Sequence, residues 1–313
     1  MGTARSTPPP DRRAFGTICA LGIAQIISWG SLYYAFSFLV TPLMQASGGD
    51  KPSVFAAFSF GLLVSGLLSA PVGALIDRVG GRGVMTAGSI AGAVLLALLT
   101  QVQSVFALYA VWAGLGAVMA ATLYDPAFAV LTRLFAANYR RAITTLTLFG
   151  GFASTVFWPL TQILIAEFGW RDALLVLSSL NLMVCAPLHW WVLRDGGGTE
   201  RVRPSGPAAP GAFRAALRTP IFYLLTIAFT GNALVFSATQ VHLMSMLQEK
   251  QLSAASAALV GAMIGPMQVT GRVLELAFAS RLSASTVGIL AMAFLPLSLW
   301  LLALAGVQWP LLV

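Results

Sequence analysis

The chain has 313 residues, of which 58% are hydrophobic and only 9% are charged, and its mean hydropathy is +0.84. A soluble domain normally needs about a quarter of its residues charged to wet its surface. The composition therefore excludes a soluble enzyme, a disulfide-stapled scaffold and a disordered protein. It predicts a protein that is embedded in a lipid bilayer, and the net charge of +8 then has to be located along the chain.

Nine apolar stretches follow a polar, proline-rich tail at residues 1–13. A helix needs about 20 apolar residues to cross the roughly 30 Å hydrocarbon core, and its backbone groups must pair within the segment. The predicted crossings lie at residues 14–42, 54–76, 83–103, 105–133, 141–166, 171–193, 220–247, 254–279 and 284–306. The first stretch is too long for a cleaved signal peptide. Residues 308–313 look like the first turn of a tenth helix.

The longest connection is residues 194–219, which are rich in glycine, proline and arginine and are expected to form a flexible cytoplasmic linker. It separates six predicted helices at 14–193 from three at 220–313. The expected fold is an all-α integral membrane bundle, with a complete six-helix N-terminal half and a partial C-terminal half. The uneven count favours a piece of a longer reading frame over a natural truncation.

The basic residues predict the orientation, because cytoplasmic loops carry an excess of Lys and Arg. With a cytoplasmic N-terminus, the opposite side holds only Lys51, Arg171 and Lys250. The cytoplasmic segments then hold Arg5, Arg12, Arg13, Arg78, Arg82, Arg133, Arg140, Arg141, Arg194, Arg201, Arg203, Arg214, Arg218 and Arg281. We expect a multi-pass protein of a bacterial inner (plasma) membrane. No basic face is interleaved with stacking aromatics, so no nucleic-acid partner is expected.

The loop after the second predicted helix carries a recognisable motif. It reads Gly73, three residues, Asp77, Arg78, Val79, Gly80, Gly81 and Arg82. This pattern, at this position, resembles the signature loop of the major facilitator superfamily. The resemblance implies two six-helix halves and a gating role for Gly73, Asp77, Arg78, Gly80 and Arg82. Gly73 is expected to let two helices approach closely, and Gly80 and Gly81 to allow a turn with positive φ; an ordinary charged turn is the alternative.

A second set of residues resembles the monocarboxylate and oxalate/formate porters within that superfamily. These residues are Gly114, Gly116, Pro126, Ala127, Phe128, Phe135, Arg140, Arg141, Ala142, Gly169, Trp170 and Arg171. Drug antiporters of the superfamily usually have an Arg in the fourth helix and a Gly-Pro pair in the fifth. Here Trp112 and Ala110 occupy that part of the fourth helix, and Trp158 precedes Pro159. The resemblance therefore implies a small organic anion as the transported solute.

Arg272 and Asp125 lie well inside predicted helices. Each is a functional candidate, because a charge at mid-depth costs from about 2.5 kcal/mol upward. In the porters that the chain resembles, an Arg of the eighth helix binds the substrate carboxylate, and Arg272 occupies the matching Gly-Arg step. A guanidinium pairs with a carboxylate through two hydrogen bonds. The alternatives are that Arg272 reaches the membrane surface or pairs with Glu275. Asp125 either takes a proton during the cycle or pairs with Arg133 or Arg141.

Helices one, four, seven and ten line the central cavity of the superfamily, so polar residues on them are candidates too. Gln25, Trp29 and Tyr33 share one face of the first helix by their four-residue spacing. The predicted substrate-binding set is Arg272, Gln268, Tyr33, Tyr34, Gln25, Asn232 and Asp125. Further polar residues of the seventh helix are Gln240 and His242. Helix packing or an interfacial belt is the alternative for the aromatic residues, and His189 is expected to be an interfacial anchor.

The sequence thus predicts a secondary transporter of a small organic anion that works by alternating access. No cofactor or metal is implied, and the coupled partner, a proton or a counter-substrate, is left open. One alternative keeps the fold and exports a hydrophobic or toxic compound. Another is a truncated membrane protein that transports nothing.

Overall fold

The computed structural model describes residues 12–135, 138–193, 215, 217–278 and 284–304. These residues form helices joined by short turns, and no strand occurs among them. A helical bundle is the expected result of this composition, because a membrane-embedded helix pairs its own backbone groups. The predicted all-α fold is confirmed.

The first group of helices occupies residues 12–193 and is called the first bundle. Its elements are α1 (Arg12–Trp29), a π-helical turn (Gly30–Tyr34), α2 (Phe36–Ser47), α3 (Lys51–Val79), α4 (Gly81–Leu99), α5 (Val105–Thr122), α6 (Tyr124–Leu134), α7 (Tyr139–Gly151), α8 (Ala153–Leu180), a second π-helical turn (Asn181–Cys185) and α9 (Ala186–Val192). The second group comprises α10 (Pro220–Glu249), α11 (Ala254–Ala262), α12 (Ile264–Phe278) and α13 (Ala284–Leu304).

Seven described stretches are long and apolar enough to cross a membrane. They are Phe15–Ser47, Lys51–Val79, Gly81–Leu99, Val105–Leu134, Tyr139–Val192, Pro220–Glu249 and Ala254–Leu274, with a shorter apolar helix at Gly288–Leu301. The stretch Tyr139–Val192 has 54 residues, more than twice the about 20 that one crossing requires. Gly169, with φ 81° and ψ 164°, interrupts its helical path. Each predicted crossing therefore overlaps described helix, while the count of nine stays a prediction.

The ends of the predicted domains fall largely outside the described part of the chain. Residues 1–11 of the tail, most of the linker at 194–219, and the stub at 308–313 belong to the ranges that are not described. The domain boundaries therefore stay predictions.

Aromatic and small residues hold the first bundle together. Phe36 stacks on Phe58 at a ring-centroid distance of 4.1 Å, and Trp112 meets both rings edge-on. A methyl group on Gly116 would collide with the backbone carbonyl of Gly61, so these two glycines let α3 and α5 lie in direct backbone contact. The helices of the bundle are thus held together by close van der Waals packing, which is a main source of helix association in lipid.

The second group attaches to the first bundle through α8. Thr155 Oγ1 donates a hydrogen bond to the carbonyl of Ala262 at 2.8 Å. The Trp158 ring and the Thr155 side chain fill the space that side chains at Gly261 and Gly265 would need. Small residues on α11 and α12 therefore bring these helices directly against the fifth span.

The bundle has two distinct ends. Residues Arg78, Arg133 and Trp190 gather at one, which we call the Arg78 end. At the other, the Lys51 end, Arg171 donates from Nε to the carbonyl of Thr100 at 3.1 Å.

Candidate functional site

The middle of the first span presents three neighbouring rings. Here the chain forms the π-helical turn Gly30–Tyr34, a geometry that shifts the side chains around the helix axis and is frequent at functional sites. The ring centroids of Trp29 and Tyr33 are 5.4 Å apart, as are those of Tyr33 and Tyr34. Phe157 of α8 fills the space that a side chain at Gly30 would need. The turn therefore concentrates aromatic groups where the fifth span approaches.

Rings from the fourth and fifth spans complete this group. Tyr124 lies 5.1 Å from Trp29 and stacks on Phe128 at 5.2 Å. Trp158 lies 5.3 Å from Tyr34 and donates from Nε1 to the Tyr34 carbonyl at 3.2 Å. We call Trp29, Tyr33, Tyr34, Tyr124, Phe128 and Trp158 the ring cluster. Its members Tyr33, Tyr34 and Trp158 are buried, whereas Trp29, Tyr124 and Phe128 are partly exposed.

The helix α12 reaches the ring cluster at two adjacent glycines of α7. The Tyr124 hydroxyl occupies the space beside Gly150, and a methyl group at Gly151 would lie 3.7 Å from Gln268 Oε1. Arg272 follows Gln268 by four residues and so shares its face of the helix. Tyr124 and the Gln268–Arg272 face therefore converge on the same point of the fifth span.

The side chain of Arg272 is exposed and interacts electrostatically with Tyr124. Its position four residues after Gln268, whose Oε1 approaches Gly151, places Arg272 on the side of α12 that faces the first bundle. One alternative for Arg272 was an ion pair with Glu275, but the side chain of Glu275 lies outside the described residues. A role for Arg272 and Gln268 in substrate binding stays a prediction.

The seventh predicted helix, α10, brings two polar residues toward the first span. The Ser237 side chain lies close to the Tyr33 hydroxyl. Gln240, one turn further, is 3% exposed, and neither of its amide atoms has a hydrogen-bond partner among the described residues. Asn232 is partly exposed on the same helix. Sequence reasoning did not single out Ser237 or Tyr124, because one hydroxyl in an apolar helix carries no pattern.

Gln25 has a structural task that the sequence did not reveal. The fourth span breaks at Leu123, and Pro126 has no N–H to offer the carbonyl of Thr122, four residues earlier. Gln25 Nε2 donates to that carbonyl at 2.7 Å and to the Leu123 carbonyl at 3.3 Å. Its side chain is fully buried. Gln25 thus supplies the donor that proline lacks, and its predicted substrate contact remains untested.

The predicted ion-pair partners of Asp125 are wrong. Asp125 is exposed and accepts a hydrogen bond from Ser69 Oγ of α3 at 2.6 Å. Arg133 lies instead near Asp77, with 3.9 Å between Nη1 and Oδ1, and donates to the Ile76 carbonyl. Asp125 therefore joins the second and fourth spans, and a protonation role for it stays a prediction.

The predicted gating motif is placed at the Arg78 end, where its residues contact two other spans. Asp77 meets Arg133 of the fourth span, and Arg82 lies 3.5 Å over the ring of Trp190 in the sixth. Arg78 is exposed. These contacts tie the loop to its neighbours in the first bundle, and its gating role stays a prediction.

Of the three glycines assigned a conformational role in that loop, one behaves as expected. Gly80 has φ +87°, which only glycine adopts without strain. Gly81 is helical, and the Val130 side chain of α6 fills the space beside it, so its expected positive φ is wrong. The close helix approach expected at Gly73 is also wrong, because a methyl group there would meet nothing within 4 Å.

His189 is not the interfacial anchor that was expected. Its side chain is fully buried, and Nδ1 lies 2.9 Å from Ser89 Oγ of α4. The adjacent tryptophans suggested an interfacial position, but the helix turns His189 inward between the third and sixth spans.

Across the described ranges, no group of three or more His, Cys, Asp or Glu side chains could hold a metal ion.

Two contacts join the first bundle to α10 at the Lys51 end. Lys51 Nζ lies 2.8 Å from Glu249 Oε1, and the rings of Phe55 and His242 stack at 4.1 Å. Asp50 caps α3 beside them by accepting from the Ser53 N–H at 3.0 Å. The hydrogen bonds from Ser53 lower the pKa of the Asp50 carboxyl below its ordinary value. This end of the interface between the two groups is therefore closed.

The profile of the Major Facilitator Superfamily matches residues 21–313. The chain belongs to the major facilitator superfamily. Among similar proteins, monocarboxylate transporter 14 of Mus musculus is 40% identical over 127 residues, which are 37% of this chain and 23% of that protein. Monocarboxylate transporter 13 of Rattus norvegicus is 32% identical over 209 residues, or 65% of this chain and 47% of that protein. The chain thus spans less than half the length of these relatives.

Solved structures agree with this assignment at the level of the fold. The inward-facing, unoccupied structure of a bacterial homolog of the human lysosomal transporter Spinster superposes with a TM-score of 0.64 at 16% identity. The match covers 88% of this chain and 65% of the Spinster homolog. The inward-facing, occupied structure gives 0.66 at 14% identity, with 89% and 64% covered. The family and fold are those of membrane transporters, which in general are not enzymes.

Proposed function

We propose that the protein is a secondary transporter of a small carboxylate. The observation that carries the proposal is Arg272, an exposed guanidinium on the face of α12 whose Gln268 approaches Gly151 of the first bundle. A guanidinium keeps its charge at any working pH and pairs with a carboxylate through two parallel hydrogen bonds. The similarity to monocarboxylate transporters supports the same class of cargo.

Transport proceeds by alternating access, in which the two halves rock around a central site. The excess of arginines in its loops assigns the Arg78 end to the cytoplasm. Because the Lys51 end is closed by Lys51–Glu249 and Phe55–His242, the conformation corresponds to an inward-facing state. The inward-facing conformations of the similar solved structures support this assignment.

The predicted site residues take different parts in this proposal. Arg272 holds the carboxylate, and Gln268, on the same helix face, orients it. Tyr33 and Tyr34 lie buried behind Trp29, where they shape the wall of the site. The Asp77–Arg133 contact belongs to the gate at the Arg78 end. A proton or a counter-substrate drives the cycle across a plasma membrane.

Uptake by the reconstituted protein tests the role of Arg272. Liposomes that contain the unmodified protein should take up radiolabelled propionate or benzoate. Arg272→Ala should lower the initial rate at least about tenfold, because a hydrogen bond to a charged group contributes about 1.5–3 kcal/mol. Arg272→Lys keeps the charge without the planar fork, so its rate should lie between the two.

A matched control is Arg140→Ala, since Arg140 is an exposed arginine at the start of α7, away from the ring cluster. Full carboxylate uptake by both Arg272 variants would contradict the proposal. Unchanged export of an apolar dye by those variants would favour the efflux alternative. A protein that moves neither class of compound would favour the non-transporting alternative.

A further inference from the structure

Three members of the ring cluster, Trp29, Tyr124 and Phe128, are partly exposed. Tyr124 is 5.1 Å from Trp29 and stacks on Phe128, and all three rings keep part of their surface uncovered. Tyr33, Tyr34 and Trp158 pack behind them and are at most 8% exposed. The uncovered rings of the first and fourth spans thus form an aromatic surface with a rigid backing.

The same surface faces a cation. Tyr124 contacts Gly150 of α7, Gln268 approaches the adjacent Gly151, and Arg272 follows on the same face of α12 and acts electrostatically on Tyr124. The other described cations with known partners lie at the ends of the bundle: Lys51 with Glu249, Arg82 over Trp190, Arg133 near Asp77 and Arg171 at the Thr100 carbonyl. Arg272 therefore brings one guanidinium to the Tyr124 side of the interface, which suits a monoanion.

One polar group of this surface still offers a hydrogen bond. Trp29 Nε1 is buried and has no partner among the described residues. Ten buried side-chain atoms of the described residues lack such a partner, and Trp29 Nε1 is the one within the ring cluster. A carboxylate or another acceptor of the cargo that enters between Trp29 and Arg272 would supply the missing acceptor.

From this juxtaposition we propose that the cargo is an aromatic monocarboxylate, with its carboxylate on Arg272 and its ring against Trp29, Tyr124 and Phe128. The inference rests on the proposed function and narrows it to one substrate class. Ring pairs gain from edge-on and offset-stacked contacts beyond the apolar area that they bury. A short aliphatic acid would satisfy Arg272 but leave the rings uncovered.

Binding to the unmodified protein tests this without any variant. Phenylacetate, cyclohexylacetate, propionate and phenylacetamide can be compared by calorimetry on the purified protein in detergent. We expect phenylacetate to bind at least about tenfold more tightly than propionate and about threefold more tightly than cyclohexylacetate. Phenylacetamide, which lacks the charge, should bind at least about tenfold more weakly than phenylacetate.

Variants then locate the two parts of the ligand. Trp29→Leu and Tyr124→Leu should remove the preference for phenylacetate over propionate, whereas Arg272→Gln should weaken both acids. Trp191→Leu is the matched control, because Trp191 is 63% exposed in the sixth span and lies outside the ring cluster. Retention of the preference in both ring variants would overturn the proposed contacts.

The outcomes separate this inference from the function on which it rests. Equal binding of phenylacetate and propionate, both dependent on Arg272, would overturn the aromatic class and leave the carboxylate transporter intact. Equal binding of phenylacetate and cyclohexylacetate would overturn the role of the ring contacts. Carboxylate binding that survives Arg272→Gln would overturn the proposed function itself.

Discussion

The two ends of α10 lie in opposite surroundings. Toward the Arg78 end, Ile221, Ile227 and Phe229 are 65%, 71% and 63% exposed. Toward the Lys51 end, the described side chains of Gln240, Val241, Leu243, Met244 and Leu247 are all buried. Lys51, Phe55 and the small residues of α11 supply the contacts there. At the Lys51 end, contacts with the first bundle and with α11 bury α10, and these contacts close that end of the interface.

A cross-link that holds the Lys51 end closed should have the largest effect on carboxylate uptake. In a background with Cys19→Ser and Cys185→Ala, a bifunctional thiol reagent across Lys51→Cys and Glu249→Cys should abolish carboxylate uptake, because the halves could no longer separate there. A reducible linker should restore uptake after reduction. Each single cysteine variant is a control, and full uptake by the cross-linked protein would show that this end does not open.

Forcing the closed end apart should have the next largest effect. Gly265→Leu places a side chain against the carbonyl of Gly151 and the Thr155 side chain, and overpacking of this kind costs about 1–3 kcal/mol. The melting temperature in detergent should fall, and labelling of cysteines at the Lys51 end should rise. Gly271→Leu on the same helix is the control, since nothing lies within 4 Å of that position. Equal melting temperatures for the two variants would contradict the close contact.

Two buried glutamines offer a smaller and more discriminating test. Gln25 satisfies the carbonyls of Thr122 and Leu123, whereas Gln240 has no partner among the described residues. Gln25→Leu should therefore lower the free energy of unfolding by about 1–2 kcal/mol, and Gln240→Leu should raise it by a similar amount. Thermal unfolding of both variants measures the difference. The same sign for both changes would show that Gln240 has a partner that is lost in the variant.

The ion pair at the Lys51 end should contribute least to stability. The Lys51 and Glu249 side chains are 44% and 68% exposed, and exposed pairs gain little over their hydration. Lys51→Ala should leave the melting temperature nearly unchanged, while the opening rate of this end should rise at low salt only. Single-molecule fluorescence across the interface at low and high salt measures this. A large stability loss would mean that the pair is shielded from solvent.

Local patterns predicted the parts of the fold that depend on one segment at a time. The apolar stretches became helices because their length and composition leave no other way to pair the backbone in lipid. The Gly80 turn followed from the conformational freedom of one residue. The superfamily motif was recognised because its residues are contiguous.

Two of the predictions that failed, those for His189 and Asp125, depend on the direction of a side chain. His189 was assigned to an interface from its tryptophan neighbours, but the sixth span turns it toward Ser89. Asp125 was paired with arginines of its own region, but it meets Ser69 of another span. A spacing pattern gives the face of an ideal helix, and the π-helical turn in the first span and the break at Leu123 change that face locally.

By itself, the sequence determined that this is a membrane-embedded helical protein of the superfamily, since hydropathy and one contiguous motif suffice for that. The tertiary structure decided which polar residues serve the fold and which remain available to a ligand. Gln25 is occupied by a carbonyl that Pro126 leaves unpaired, while Arg272 stays exposed beside Tyr124. The physical reason is that the role of a polar side chain in a bundle depends on its hydrogen-bond and electrostatic partners. Those partners come from distant parts of the chain.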